Sequence, residues 1–419
     1  MELFETEKKQ SSVVIVGVHT GNSDEINDCT EQSLDELELL AHTAGAVCVG
    51  RFVQNKQTPD SATYIGEGKA NDIRLFCLDN NVEIAIFDDE LTGTQIRNLE
   101  ELLEVRVMDR SSLILDIFAS RAKTAEGKLQ VELAQLKYYL SRLTGSFVNL
   151  SRQGGGIGTR GPGETKLETD RRHIRNRISA LKQELSEVEK NRQTMRKKRI
   201  KEGVLQIAIV GYTNAGKSTL LNYLTDAGVL AEDKLFATLD PTSRKLTLPD
   251  GTNAVLTDTV GFIRKLPHHL INAFKSTLEE AVVADMLIHV VDGTSPEMAN
   301  NITVAQQLLK ELKADNKPTI TVFNKCDKGS PDVIGLDSPH ILISAKTGHN
   351  VDGLLNKIVE ISPYQRVKLK VLIPYDKGNI ISVLYKDAKI LSENHTEKGT
   401  ELEIIIDQQT KRLVNDYII

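Results

Sequence analysis

Over the first 125 residues, short apolar runs alternate with stretches of helical spacing. "VVIVGV" (Val13–Val18), "AVCVGRFV" (Ala46–Val53), "VEIAIFDD" (Val82–Asp89) and "VRVMD" (Val105–Asp109) read as strands. Between them, "LDELELLAHTAG" and "LTGTQIRNLEELL" carry apolar residues at helical steps. This alternation predicts an α/β unit on a largely parallel sheet across residues 1–125. Near residue 126 the pattern changes. "KLQVELAQLKYYLSRL" sets Leu129, Leu133, Leu136 and Leu140 on one helix face. Beyond a glycine-rich break, Leu167, Ile174, Ile178, Leu181, Leu185, Val188 and Met195 recur at heptad-like steps. Residues 126–203 are therefore expected to form a loop and a long antiparallel helical hairpin. A second α/β pattern covers 204–364, with "VLQIAIV", "NAVLTD", "MLIHVVD", "TITVFN" and "HILIS" as strands. The last segment, 365–419, reads as a small α+β domain with "VKLKVLIP", "ISVLY" and "TELEIIID" around a helical or loop insert. The expected class is multidomain α/β.

Composition narrows the picture a little. The 419 residues are 40% hydrophobic, enough for packed cores, and carry no Trp, which disfavours a carbohydrate or aromatic-cage binder. Four cysteines, Cys29, Cys48, Cys77 and Cys326, form no CxxC pair, so zinc spacing is missing and free thiols are expected. The N-terminus "MELFETEKKQ" has no apolar h-region, and no run of about 18 apolar residues occurs. These features point to a cytoplasmic chain without a membrane span.

The chemistry begins at "VGYTNAGKSTL". Gly211, Tyr212, Thr213, Asn214, Ala215, Gly216, Lys217 and Ser218 fit G-x-x-x-x-G-K-[ST] between a strand and a helix, the context a phosphate loop requires. Lys217 supplies charge to β- and γ-phosphates, and the Ser218 hydroxyl suits Mg²⁺. About forty residues on, Asp258 ends a strand and opens Asp258-Thr259-Val260-Gly261, where the aspartate can hold Mg²⁺ through water and the Gly261 amide can meet the γ-phosphate. Asn324-Lys325-Cys326-Asp327 and Ser344-Ala345-Lys346 follow two later strands. A carboxylate at Asp327 can accept both N1–H and N2–H₂ of guanine, a pair adenine does not offer.

The set resembles the TRAFAC class of GTPases, which makes GTP the expected substrate. The resemblance places Phe236, Ala237, Thr238, Leu239 and Asp240 in the first switch and implies Thr238 as a Mg²⁺ ligand alongside Ser218, with Thr242 as a rival. Phe262 stands where many GTPases carry a glutamine that orients the attacking water. Either a K⁺ held near Asn214 or a partner that orders the switches must then complete the site, and Asn214 also reads as a plain turn residue. Lys217, Thr238, Gly261 and Asn214 are the expected catalytic group.

The partner is sought in charge. Residues 166–202 hold thirteen Lys or Arg and six Asp or Glu, a net of +7 in a chain of net −6. Together with "RKKRIK" and the basic glycine-rich block, this favours phosphate backbones over a merely solvated helix face. No stacking aromatics accompany it, so shape and phosphate contact are expected more than base reading. The block "QGGGIGTRGPGETKLETDRR", followed by "GYTNAGKSTL", "FATLDPT" and "DTVGFI", is similar to the HflX family of ribosome-associated GTPases, from about Ser11 to Tyr364. That resemblance implies the large ribosomal subunit and its rRNA as partners, and GTP-dependent splitting of stalled or idle ribosomes. It also implies a monomer off the ribosome and a cytoplasmic location with room for peripheral membrane association. Two rivals stay open: a large-subunit assembly GTPase, and a signalling GTPase with a coiled-coil protein partner. "YIGEGK" (Tyr64–Lys69) lacks phosphate-loop spacing and reads as a hairpin or strand end.

Overall fold

The computed structural model describes residues 10–21, 30–145, 162–201, 204–225, 235–236, 239–265, 280–329, 331, 338–362 and 366–419. The glycine-rich block through residue 161, together with Ala237 and Thr238, lies outside them.

The N-terminal unit strings β1 (Ser12–His19), α1 (Thr30–Thr43), β2 (Val47–Asn55), α2 (Glu67–Asp79), β3 (Ile84–Phe87), α3 (Gly93–Leu103), β4 (Arg106–Asp109) and α4 (Arg110–Arg121). Its four strands are all parallel, in the order β2-β1-β3-β4. β1 is an unbroken apolar run because both of its faces are covered. Val13 and Ile15 enter one core and Val14 and Val16 the other. α2 and α4 had no place in the sequence reading. The "YIGEGK" stretch begins at a tight antiparallel bridge between Tyr64 and Asp60, as a hairpin reading expects, and then runs on into a helix. Tyr64 takes a positive φ of 65°, and Gly66 then stands at the N-cap of α2.

α5 (Ala125–Gly145) and α6 (Pro162–Lys201) form the hairpin. Leu133, Ile178 and Leu181 make its seam. Arg177 grips Glu132 at 2.7 and 2.9 Å, and Arg171 donates to the Leu143 carbonyl at 2.7 Å, so the helices run antiparallel. The side chains of "RKKRIK" are not among those described.

The next unit contains β5 (Leu205–Gly211), α7 (Lys217–Thr225), β6 (Thr242–Thr247), β7 (Asn253–Asp258), β8 (Met286–Asp292), α8 (Met298–Glu311), β9 (Thr319–Asn324), β10 (His340–Leu342) and α9 (Val351–Ile361). Its sheet order is β10-β9-β8-β5-β7-β6, parallel except for β6, an edge strand antiparallel to β7. The C-terminal sheet pairs β11 (Arg366–Ile373), β12 (Lys389–Thr396) and β13 (Gly399–Asp407) in the order β11-β13-β12, flanked by α10 (Gly378–Asp387) and α11 (Gln408–Val414). "ISVLY" therefore lies in α10 and not in a strand. Its β-branched residues favour strand locally, but Ile380, Ile381 and Leu384 fall on one helical face and pack onto the sheet.

The units share a core. Phe118 of α4 and Val131, Ala134 and Tyr138 of α5 belong to the same apolar cluster as Leu235, Phe236, Leu239, Val260 and Ile263 of the third unit.

Candidate functional site

The phosphate loop leaves β5 and enters α7. Gly211 (φ 147°) and Gly216 (φ 95°) hold backbone shapes that L side chains rarely adopt. A Cβ would lie 2.1 Å from the Val290 carbonyl at Gly211 and 2.2 Å from Asn324 Nδ2 at Gly216. The turn therefore brings the backbone close to its neighbours and leaves amides at a helix N-terminus, where anions are favoured. Lys217 Nζ donates to the carbonyls of Gly211 at 3.1 Å and Tyr212 at 2.8 Å. Burial pulls its pKa down to about 8, against the pull of Asp258. Ser218 donates to Asp258 Oδ2 at 2.7 Å. This all-oxygen pair fits a hard cation such as Mg²⁺.

The segment after β7 closes over this loop. Phe262 N–H donates to the Gly211 carbonyl at 3.0 Å, and Thr213 N–H to the Phe262 carbonyl at 2.8 Å. A Cβ on Gly261 would sit 2.7 Å from Thr213 Cγ2 and 2.9 Å from Lys217 Nζ, so only glycine lets the chain pass here. The Phe262 ring turns away from the loop into a core with Val210, Leu287 and Leu308. The Thr259 hydroxyl donates to the Ile209 carbonyl at 2.7 Å.

Asn324 ties the base side to the phosphate side. Its amide donates to the Ala215 carbonyl and accepts from Ala345 N–H, each at 2.9 Å. Lys325 pairs with Asp292 at 2.7 Å. Ser344 donates to Asp327 Oδ1 at 2.7 Å, and this bond holds the exposed Asp327 carboxyl below its ordinary range. Lys346 is exposed beside it. The residues expected from three separate stretches thus meet at one end of the sheet.

Four expected contacts point elsewhere. The Tyr212 hydroxyl donates to Glu36 of α1 at 2.9 Å. Phe236 packs edge-on against Phe118 with centroids 4.7 Å apart, and Leu239 is buried in the same cluster. Asp240 accepts from Lys123 and Thr124 N–H. These side chains face the N-terminal unit and the hairpin because a core there covers them, a long-range fact with no local signature.

The structure also brings in residues that the motifs did not name. Glu36 accepts from Tyr212 and faces Arg110 Nη2 at 3.1 Å. Arg110, almost fully buried, reaches Asp88 at 2.7 Å. Arg264 pairs with Glu297 at 2.7 Å, and Lys265 with Asp88 at 2.6 Å and Asp89 at 2.8 Å. Burial raises the Glu36 carboxyl above its ordinary value, while Arg110 opposes this. A cavity of about 520 Å³ separates α1 from the phosphate loop, walled by Glu36, Thr213, Asn214, Arg264 and His289. Burial next to Lys217 pulls His289 down to about 4.

Comparison with known proteins places the chain among GTPases. Family models described as GTP-binding GTPase N-terminal, GTP-binding GTPase Middle Region and 50S ribosome-binding GTPase match residues 31–119, 121–199 and 206–325. A GTPase HflX of Lacrimispora saccharolytica is 52% identical, covering 95% of this chain and 94% of its own. One from Caldanaerobacter subterraneus subsp. tengcongensis is 51% identical over 93% and 91%. The Escherichia coli GTPase HflX is 43% identical over 88% of each chain. Identity at this level, sustained along nearly the whole of both chains, means that the chain belongs to the HflX family of GTPases.

Proposed function

We propose that this GTPase acts on the ribosome. It docks its hairpin and N-terminal unit on the large subunit and its rRNA, and in the GTP state it splits stalled or idle ribosomes. The observation that carries the reading is the shared apolar cluster. Leu235, Phe236 and Leu239, from the stretch before β6, and Val260 and Ile263, from the stretch after β7, pack in one cluster with residues of α4 and α5. A change in those segments on GTP binding would reach the hairpin directly. The net +7 of residues 166–202 and the name of the family model over 206–325 support a large-subunit partner.

In this reading Lys217 neutralises the β- and γ-phosphates, the Gly261 amide meets the γ-phosphate, and Asp327 selects guanine. Ser218, with Thr238 by family resemblance, would hold Mg²⁺, and Asp258 would act through water. Mg²⁺ offsets charge on the transferring phosphoryl group. Phe262, being buried, has no part in aligning water. That task falls to ordering of the switches by the ribosome, with a K⁺ beside Asn214 as the other source of positive charge.

The reading is tested by sedimenting whole ribosomes with the protein and GTP, a non-hydrolysable GTP analogue or GDP. Free subunits should rise with GTP and the analogue and not with GDP. Unchanged ribosome profiles, with the protein running only on precursor large subunits, would favour an assembly role instead.

A further inference from the structure

Asp240 belongs to the GTPase unit but hydrogen-bonds to the root of the hairpin. Its Oδ2 accepts from the N–H groups of Lys123 and Thr124 at 2.9 Å each, and its Oδ1 accepts from the Thr124 hydroxyl at 2.6 Å. Thr124 in turn caps α5. Its hydroxyl accepts from Gly127 N–H at 2.9 Å and its carbonyl from Lys128 N–H at 3.0 Å. A carboxylate from one unit thus sits at the N-terminus of a helix in another, where uncompensated N–H groups favour an anion. The approach is so close that a Cβ at Gly127 would lie 2.3 Å from Asp240 Oδ1. Because Thr124 already caps α5, Asp240 is not needed to start the helix. What it adds is a tie between units.

The other end of the tie is the phosphate site. Two residues past Asp240, β6 begins at Thr242, which pairs with Asp258. Asp258 accepts the Ser218 hydroxyl bond. A displacement of α5 therefore has a short path, through Asp240 and the first rung of the β6–β7 ladder, to the Ser218–Asp258 pair. On the other side of Asp240, Leu239 is buried in the cluster that also holds Phe236 and Phe118.

We infer that Asp240 is a positioning residue for hydrolysis, carrying the seating of the hairpin on the large subunit to the phosphate site. The inference rests on the ribosomal reading above. Two substitutions test it from opposite sides. Asp240→Asn keeps the shape and removes the charge. Gly127→Ala favours helix in α5 yet sets a methyl group against the Asp240 oxygen. A shared defect then cannot come from a weaker helix.

With the full-length protein, single-turnover GTP hydrolysis is measured with and without purified large subunits, and subunit binding is measured by pelleting with a non-hydrolysable GTP analogue. Both variants should still pellet with subunits, while the ratio of stimulated to basal rate falls about tenfold or more. Stimulation of either variant to the wild-type ratio overturns the inference. So does loss of subunit binding in both, which would make the contact merely structural. A wild-type protein that binds no subunits would instead defeat the ribosomal reading itself.

Discussion

At the residue scale, the backbone of the candidate site was legible wherever a motif fixes it. Gly211, Gly216 and Gly261 are demanded by close approach, and Asn324 by its two hydrogen bonds across the site. What spacing could not give was side-chain direction. Tyr212, Phe236, Leu239 and Asp240 stand in or beside the motifs, yet their side chains serve interfaces with distant segments. Asp327→Asn replaces a charged acceptor, so GTP affinity should fall about 10- to 100-fold while xanthosine triphosphate gains. Nucleotide titrations read both, and unchanged GTP affinity with continued rejection of the xanthine base would remove Asp327 from base reading. His289 offers a pH test. Its folded pKa of about 4 lies below the ordinary 6.5, so the unfolded chain binds the extra proton between those values. Stability therefore falls as pH drops through that window, by about 2 kcal/mol at pH 5 from this group. Melting temperatures of wild type and His289→Gln at pH 7 and pH 5 should show the variant losing less.

At the element scale, continuous apolar runs and leucine spacing were readable, while α2, α4 and the polar edge strands were not. The hairpin follows from its leucine spacing, and β5, β7, β8 and β9 from continuous apolar runs. α2 and α4 were missed, α4 because Leu113, Ile114, Leu115, Ile117 and Phe118 crowd into a run interrupted only by Asp116, which hides the exposed side marked by Asp116 and Ser120. β6 and β12 are polar edge strands whose pairing depends on the neighbour and not on their own composition. α10 reversed a strand expectation because packing on the C-terminal sheet outweighed β-branching. In the hairpin, apolar packing should dominate over ion pairs. Leu181 is fully buried, and Leu181→Ala should cost about 2–5 kcal/mol. The Arg177–Glu132 pair is half-exposed, and Arg177→Ala should cost far less than Leu181→Ala. Hydrogen exchange of the α5 and α6 amides separates the two. Equal deprotection would contradict this ranking.

At the scale of the whole molecule, the N-terminal unit bears on the GTPase unit through buried charge. Arg110 lies between Asp88 and Glu36, while Lys265 and Tyr212 reach the same two carboxylates. Arg110→Met would take from those buried acids their shared guanidinium, at a cost of about 3–5 kcal/mol. Faster proteolysis between the units is the expected sign, and wild-type resistance would count against the network. None of these contacts has a sequence signal, since each joins residues far apart in the chain. They leave a GTPase whose Phe262 is committed to the core and whose flanking segments are held by other units, so hydrolysis should depend on what those units touch. The most direct measurement is the rate of GTP hydrolysis with and without purified large ribosomal subunits, at low and moderate salt. The account predicts slow turnover alone and strong stimulation by subunits that fades as salt rises, because the contact is to phosphates. An equal rate with and without subunits at low salt would contradict it.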